Sequence, residues 1–103
     1  MSPTLSLSPT LAEVRAALRA CPAVNGDFLP ERSQSAVAII LAGNPKNLSM
    51  AFVRRSERPG DPWSGHIAFP GGRAQASDPS AQAVAERETE EETGLRLDDA
   101  ERL

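Results

Sequence analysis

The densest chemistry in this chain is carboxylate. Five glutamates fall between Glu86 and Glu92 in the stretch "VAERETEEETGL", and Gly94 follows almost at once. On an α-helix Glu88, Glu91 and Glu92 share an arc of roughly 100°, while Glu86 and Glu90 point elsewhere. The C-terminal end of a helix carries partial negative charge and repels acidic side chains. Glu88 and Glu92, four residues apart, add a like-charge penalty of roughly 0.2–0.5 kcal/mol. A helix shaped by stability alone carries lysine or arginine there. The arrangement makes sense if a hard divalent cation, Mg²⁺ or Mn²⁺, takes its oxygen ligands from that face. Mg²⁺ fills the rest of its shell with water and substrate phosphate, so the cluster points to phosphate chemistry. An ordinary solvated acidic face is the competing reading of a charge run, and it is the one we give to Glu86 and Glu90.

A glycine pair stands one loop upstream. Gly71 and Gly72 follow "HIAF" and allow main chain to approach a metal or ligand closely. Taken alone the pair reads as a tight turn. Beside the acidic helix it reads as part of a site.

The elements that hold these residues can be traced in the pattern. Residues 1–9 carry two prolines and three serines and read as a flexible arm. Thr10 with Glu13 is a capping-box pair, and Leu11, Val14 and Leu18 follow at helical spacing, so a short helix is expected over 11–20, stopped by Pro22. "SAVAIILAG" (35–43) reads as a buried strand, "NPKN" as a turn, and "LSMAFVRRS" (48–56) as the returning strand. "ERPGDPWSG" (57–65) reads as an exposed loop, "HIAF" (66–69) as a short strand, and "PGG" (70–72) as its break. Asp78 as N-cap and Pro79 at the first helical position open the acidic helix, and Gly94 closes it. A further strand is expected to open at Leu95. Strands mixed with helices point to an α/β fold, of the α+β kind with a mixed sheet.

Bulk properties narrow the partners. The chain has 103 residues, enough for one domain, and a net charge of -3, which gives no reason to expect nucleic acid. It contains no apolar run long enough to span a bilayer and no basic, apolar leader, so no membrane partner is expected. The single cysteine, Cys21, makes no internal disulfide and fits a reducing compartment; cytoplasm is the expected location. Cys21 has no activating neighbour in the sequence and reads as a helix-end residue.

The segment from Gly71 to Leu95 resembles the Nudix box, G-x5-E-x7-R-E-U-x-E-E-x-G-U, with U a bulky apolar residue. Arg87-Glu88-Thr89-Glu90-Glu91-Glu92-Thr93-Gly94-Leu95 matches its second half, with Thr89 in the first apolar slot. In the first half Asp78 holds the glutamate position, and the spacing to Arg87 is one residue longer. That extra residue is similar to the coenzyme A pyrophosphatase branch of the family. So are Arg55-Ser56 and the block Gly65-His66-Ile67-Ala68-Phe69-Pro70-Gly71-Gly72. In this chain the two blocks stand one residue further apart, and Asp61 occupies a place where that branch has an arginine.

The resemblance covers residues 35–97 and implies a Nudix-type α/β/α sandwich spanning residues 10–103, with the box at 72–95. It implies hydrolysis of a nucleoside-diphosphate derivative, a small-molecule substrate. Glu88, Glu91 and Glu92 become the Mg²⁺ or Mn²⁺ ligands, Gly72 adds a main-chain oxygen, and Arg87 orients a carboxylate by ion pairing. Glu88, Glu91, Glu92 and Arg87 form the catalytic set. Arg55 and Arg73 become phosphate contacts. Trp63 stacks on adenine or packs its own loop, and His66 is a strand residue beside the site. Coenzyme A, split to 3′,5′-ADP and 4′-phosphopantetheine, is the expected substrate. ADP-ribose or another nucleotide sugar is the alternative, and a non-catalytic binding module or inactive fragment is a third reading. Few residues follow Leu97, so a C-terminally truncated domain is expected. Its unpaired sheet edge would make the chain depend on a partner, and a homodimer is one form of that.

Overall fold

The computed structural model describes residues 9–21, 23 and 26–103. The arm expected over 1–9 therefore falls, apart from Pro9, outside the described residues, as does Pro22. Helix α1 (Leu11–Ala20) starts at a reciprocal capping box. Thr10 Oγ1 accepts the Glu13 N–H at 3.2 Å, and the Glu13 carboxylate accepts the Thr10 N–H at 3.2 Å. No residue of α1 is buried. The helix is tied down at its start by the Leu11 N–H to the Pro45 carbonyl at 2.8 Å and at its middle by Arg15, whose Nη2 meets both oxygens of Glu101 at 2.7 and 2.8 Å.

Six short strands follow: β1 (Ser35–Val37), β2 (Leu41–Asn44), β3 (Asn47–Met50), β4 (Val53–Arg54), β5 (Ile67–Ala68) and β6 (Gly71–Arg73). They pair antiparallel as β1–β6, β2–β3 and β4–β5. The six belong to three extended stretches, 35–44, 47–54 and 67–73, and each stretch lends one half to each of the other two. Three straight strands cannot all be neighbours in one flat sheet, so each stretch bends in the middle. Hydrogen bonds bridge the bends, from the Ala38 N–H to the Pro70 carbonyl at 2.8 Å and from the Ala51 N–H to the Ile40 carbonyl at 3.0 Å. Phe52 and Phe69, at two of the bends, stack with centroids 5.1 Å apart. The β2–β3 turn is closed by Asn44, whose Oδ1 accepts the Lys46 N–H at 2.9 Å.

Helix α2 (Ala81–Thr93) packs across the β1–β6 pair. Ser80 caps it, with Oγ accepting the Ala83 N–H at 3.1 Å. Gly94, at φ 75°, turns the chain left-handed and sends its N–H to the Glu90 carbonyl at 2.8 Å. The buried centre consists of Val84, Ala85 and Thr89 on α2, with Asp78 and Pro70. Thr89 is tolerated in an apolar slot because its hydroxyl donates to the Ala85 carbonyl at 2.6 Å.

The mixed α/β class agrees with the sequence pattern, but several details differ. The ladders are all antiparallel among the described residues. The single strand expected over 35–43 is two, broken at 38–40, and it is not buried on both faces, since Val37 and Ile39 are 56% and 63% exposed. The strand expected over 48–56 is likewise split, into β3 and β4. A uniform apolar run reveals that backbone is extended, but not where it bends to change partners. Gly71 and Gly72 lie within β6 instead of breaking a strand, and residues 95–97 form no strand. The N-cap of α2 is Ser80, not Asp78, because Asp78 is engaged in a loop and an ion pair described below.

The accessible surface, 8310 Å², exceeds by roughly half the ~5600 Å² usual for a folded chain of this mass. Large apolar side chains on or beside the strands are exposed, at Val37, Ile39, Phe52 and Ile67. Among the described residues no helix is long and apolar enough to cross a membrane.

Candidate functional site: the carboxylate face of helix α2

The site is built where α2 lies over β6. Gly72 touches the Glu88 side chain: a Cβ placed on residue 72 would stand 2.5 Å from the Glu88 carboxyl carbon and 2.6 Å from one of its oxygens. Only glycine leaves that space to the carboxylate. One turn on, Glu92 Oε1 accepts the Gly71 N–H at 2.9 Å. The glycine pair thus meets the acidic helix through a missing side chain at one residue and a main-chain donor at the other. Gly71 is also required by the strand pair, since a Cβ there would overlap the Ala36 carbonyl and the Val37 main chain.

Arg87 is the hub of the charges. It grips Asp78 in a fork, Nε to Oδ1 at 3.0 Å and Nη2 to Oδ2 at 2.8 Å. Nη1 reaches Glu88 Oε1 at 3.0 Å and both Glu91 oxygens at 3.3 Å. Nη2 also donates to the Arg73 carbonyl at 3.2 Å. One guanidinium therefore fastens the β6–α2 loop to the helix and holds two glutamates by their oxygens. Asp78 is buried, and its other bond comes from the Gln75 N–H at 2.7 Å. The Arg87 fork, followed by the Gln75 N–H, holds the Asp78 carboxyl below its ordinary value of 3.8. The Arg87 guanidinium is pushed above its own ordinary value, first of all by Asp78.

A depressed carboxylate pKa stabilises the folded state above the unfolded-state pKa of about 3.9 and stops doing so as pH falls through the folded value. We therefore expect Asp78→Asn to lower the melting temperature at neutral pH. The gap to the parent chain should stay constant above about pH 5 and close below about pH 4. Melting curves recorded from pH 2 to 8 check this, and parallel curves for the two chains would remove Asp78 from the account.

The five glutamates separate as follows. Glu88, Glu91 and Glu92 take Arg87, Arg87 and the Gly71 N–H respectively. Glu86 accepts from Gln82 Nε2 at 2.8 Å, on a different side of the helix, and Glu90 is exposed. Among the described residues no three His, Cys, Asp or Glu side chains converge as a ready metal cage. Like charges gathered without a counter-ion repel. Glu88 and Glu91 share the Nη1 donor of Arg87, and Glu92 leans on the Gly71 N–H. The donor set is nonetheless right for a hard cation: carboxylate oxygens on one helix face, with glycine opposite to leave room.

The other residues singled out in the sequence stand on β6 and in the β4–β5 loop. Arg73 is exposed and contributes its carbonyl to Arg87. Arg55 and Trp63 lie in and beside the β4–β5 loop, where Arg55 pairs with Asp61 at 3.2 Å and Trp63 meets His66 edge to face at 5.8 Å. A hollow of about 270 Å³ opens elsewhere, between Phe28, Gln34, Ala36, Ala74 and the first turn of α2, and takes in none of the glutamates. Glu91 and Glu92 are exposed, so the carboxylate face is open.

Two residues have larger roles here than their sequence patterns suggested. Asp78 reads as a cap and serves as the anchor of Arg87; nine residues separate them, a spacing with no local helical or strand rule behind it. Asp61 reads as a departure from a pattern and proves to be a bridge within its loop. The Asp-Pro-Trp order, a familiar start for a side-chain-closed turn, is the signal that could have found it.

A family model described as the NUDIX domain matches residues 32–103, which is more than half of the chain. The chain is 38% identical over 91 residues to an uncharacterized protein, C14C4.10c, of Schizosaccharomyces pombe, a match covering 75% of this chain and 28% of that protein. It is 34% identical over 77 residues to the peroxisomal coenzyme A diphosphatase 1 of Saccharomyces cerevisiae, covering 75% of this chain and 23% of that protein. The chain thus spans about a quarter of the length of these curated relatives. With the family match extending over both β6 and the acidic face of α2, the chain belongs to the Nudix family.

Proposed function

We propose that the chain carries the metal-binding face of a pyrophosphohydrolase acting on coenzyme A or its derivatives, with 3′,5′-ADP and 4′-phosphopantetheine as products. The observation that carries this is the joining of Glu88, Glu91 and Glu92 to Gly71-Gly72 around one arginine. The substrate choice leans on the similarity to the yeast coenzyme A diphosphatase.

In this reading Glu88, Glu91 and Glu92, with the Gly72 carbonyl, hold Mg²⁺ or Mn²⁺. When bound, the cation supplies charge neutralisation for the diphosphate and activation of the attacking water. The rest is the work of the chain. Arg87, fixed by Asp78, holds Glu88 and Glu91 by their oxygens. Gly72 leaves Glu88 its space, and Gly71 aims Glu92. Arg73, next to the glycine pair, and Arg55 are the phosphate contacts, and Trp63 stacks on the base. Water adds to one phosphorus of the diphosphate, the bridging P–O bond breaks, and the second phosphate leaves with that oxygen.

The test is a substrate panel of coenzyme A, ADP-ribose, NADH and nucleoside triphosphates, with Mg²⁺ or Mn²⁺ and with excess chelator. We expect coenzyme A to be cleaved at the diphosphate. Chelation should stop turnover, and added metal should restore it. Turnover of ADP-ribose without coenzyme A overturns the substrate assignment, and turnover that persists in chelator overturns the metal.

A further inference from the structure

The β4–β5 loop is braced from within. Its ends are joined by the Arg55 N–H to the His66 carbonyl at 2.9 Å and the Gly65 N–H to the Arg55 carbonyl at 3.1 Å. Ser64 Oγ accepts the Arg58 N–H and lies 3.4 Å from the Ser56 carbonyl. Asp61 spans the middle. Its Oδ1 accepts the Trp63 N–H at 2.9 Å, and its Oδ2 accepts from Arg55 Nη2 at 3.2 Å.

Within these braces Trp63 stays 61% exposed. Its ring stands at 79° to that of His66. An indole this exposed on a self-held loop is already placed for stacking, so a planar ligand meets little ordering cost. Arg55 is steadied by Asp61 through one nitrogen, and a guanidinium has further N–H donors to offer. Arg55, Glu57, Arg58 and Asp61 sum to no net charge, so bulk attraction of anions is not what the loop provides. It provides a flat ring with an oriented fork of donors nearby.

We propose that Asp61 is a positioning residue that sets Arg55 and Trp63 as one recognition unit for the nucleoside end of the substrate. The ring stacks on the nucleobase, and the guanidinium meets the adjoining ribose or phosphate oxygens. The ligand's identity rests on the pyrophosphohydrolase reading; the unit itself rests on the loop geometry. It also gives a use to the aspartate that stands where the related branch has an arginine.

Trp63 is the only tryptophan and the chain has no tyrosine, so its emission reports on this loop directly. The full chain is titrated with adenosine 3′,5′-bisphosphate in the absence of divalent metal, and in parallel with inorganic phosphate. A saturable change in emission is expected with the bisphosphate and none with phosphate. By calorimetry, Trp63→Leu should weaken binding on the order of 10- to 100-fold. Asp61→Ala should weaken it about tenfold. Asp61→Asn, which keeps an acceptor for the Trp63 N–H, should recover part of the loss, and melting temperatures should stay near that of the parent chain. An emission that ignores the bisphosphate overturns the proposal, as does parental affinity in Asp61→Ala. Because no turnover is involved, the two readings fail separately. Base-dependent binding by an inactive chain supports the loop and sinks the hydrolase. Hydrolysis without any response at Trp63 does the reverse.

Discussion

Replacing Glu88, Glu91 or Glu92 by glutamine is expected to cut coenzyme A turnover by at least about 10²-fold, since loss of an outer partner of a metal ligand alone costs 10- to 100-fold. Glutamine keeps the shape and a carbonyl oxygen but removes the charge that a hard cation requires. The same changes should leave the fold near its parental stability. Glu91→Gln and Glu92→Gln relieve repulsion with the helix end, by about 0.3–1 kcal/mol. Glu88→Gln or Glu92→Gln also removes their mutual repulsion of roughly 0.2–0.5 kcal/mol. Against these gains, Glu88→Gln gives up a 3.0 Å ion pair with Arg87, and Glu91→Gln a 3.3 Å contact of a half-exposed carboxylate. Glu86→Gln and Glu90→Gln, off the face, should leave turnover within about twofold, and Glu90→Gln, in the last turn, also eases the helix end. The checks are kcat at saturating Mg²⁺ and melting temperature measured on the same five variants. Turnover near the parental value in all three face variants defeats the metal assignment. A fall of many degrees in their melting temperatures would make these residues structural.

The two adjacent glycines should fail in different ways. Gly71→Ala drives a methyl into the Ala36 carbonyl and the Val37 main chain, neither of which can turn aside. The β1–β6 pair that carries α2 must open, and a loss of about 3 kcal/mol or more is expected. In a chain with so few buried residues that loss removes the folded state at 37 °C. Gly72→Ala meets only the end of the Glu88 side chain, 2.5 Å from the new methyl. Glu88 can rotate away, so the fold survives with a cost of about 1 kcal/mol. The carboxylate, however, leaves its place, and turnover should drop as far as in Glu88→Gln. Circular dichroism melts and kcat separate the two cases. A Gly71→Ala chain that melts like its parent, or a fully active Gly72→Ala chain, contradicts the geometry on which the site is built.

The sequence made the acidic face legible because a helix has one fixed period. Glu88, Glu91 and Glu92 could be sorted from Glu86 and Glu90 by angle alone, and Thr10, Glu13 and Gly94 marked ends through local rules. What escaped was non-local. Nothing in "SAVAIILAG" says that its halves pair with different strands, because both halves are apolar and extended alike. Asp78 could be seen as a helix starter, but its true partner is nine residues away across a loop. The glycine pair reads as the break after a strand and as a place where main chain comes close to a ligand; in the fold it lies within β6 and serves close packing, against backbone at Gly71 and against a carboxylate at Gly72.

The three bent stretches carry one more consequence, for how the protein comes apart. Since every stretch belongs to two pairs, no pair can separate without disturbing two bends, each shared with one of the other pairs. The usual gradient, in which an outer strand frays while inner ones persist, has no natural starting point here. The ladder that supports the carboxylate face is thereby linked to the loop that presents Trp63, through the continuous chain from β5 to β6. An opening of the β4–β5 pair therefore reaches the bend at 69–70, on which the ladder beneath the glutamates rests.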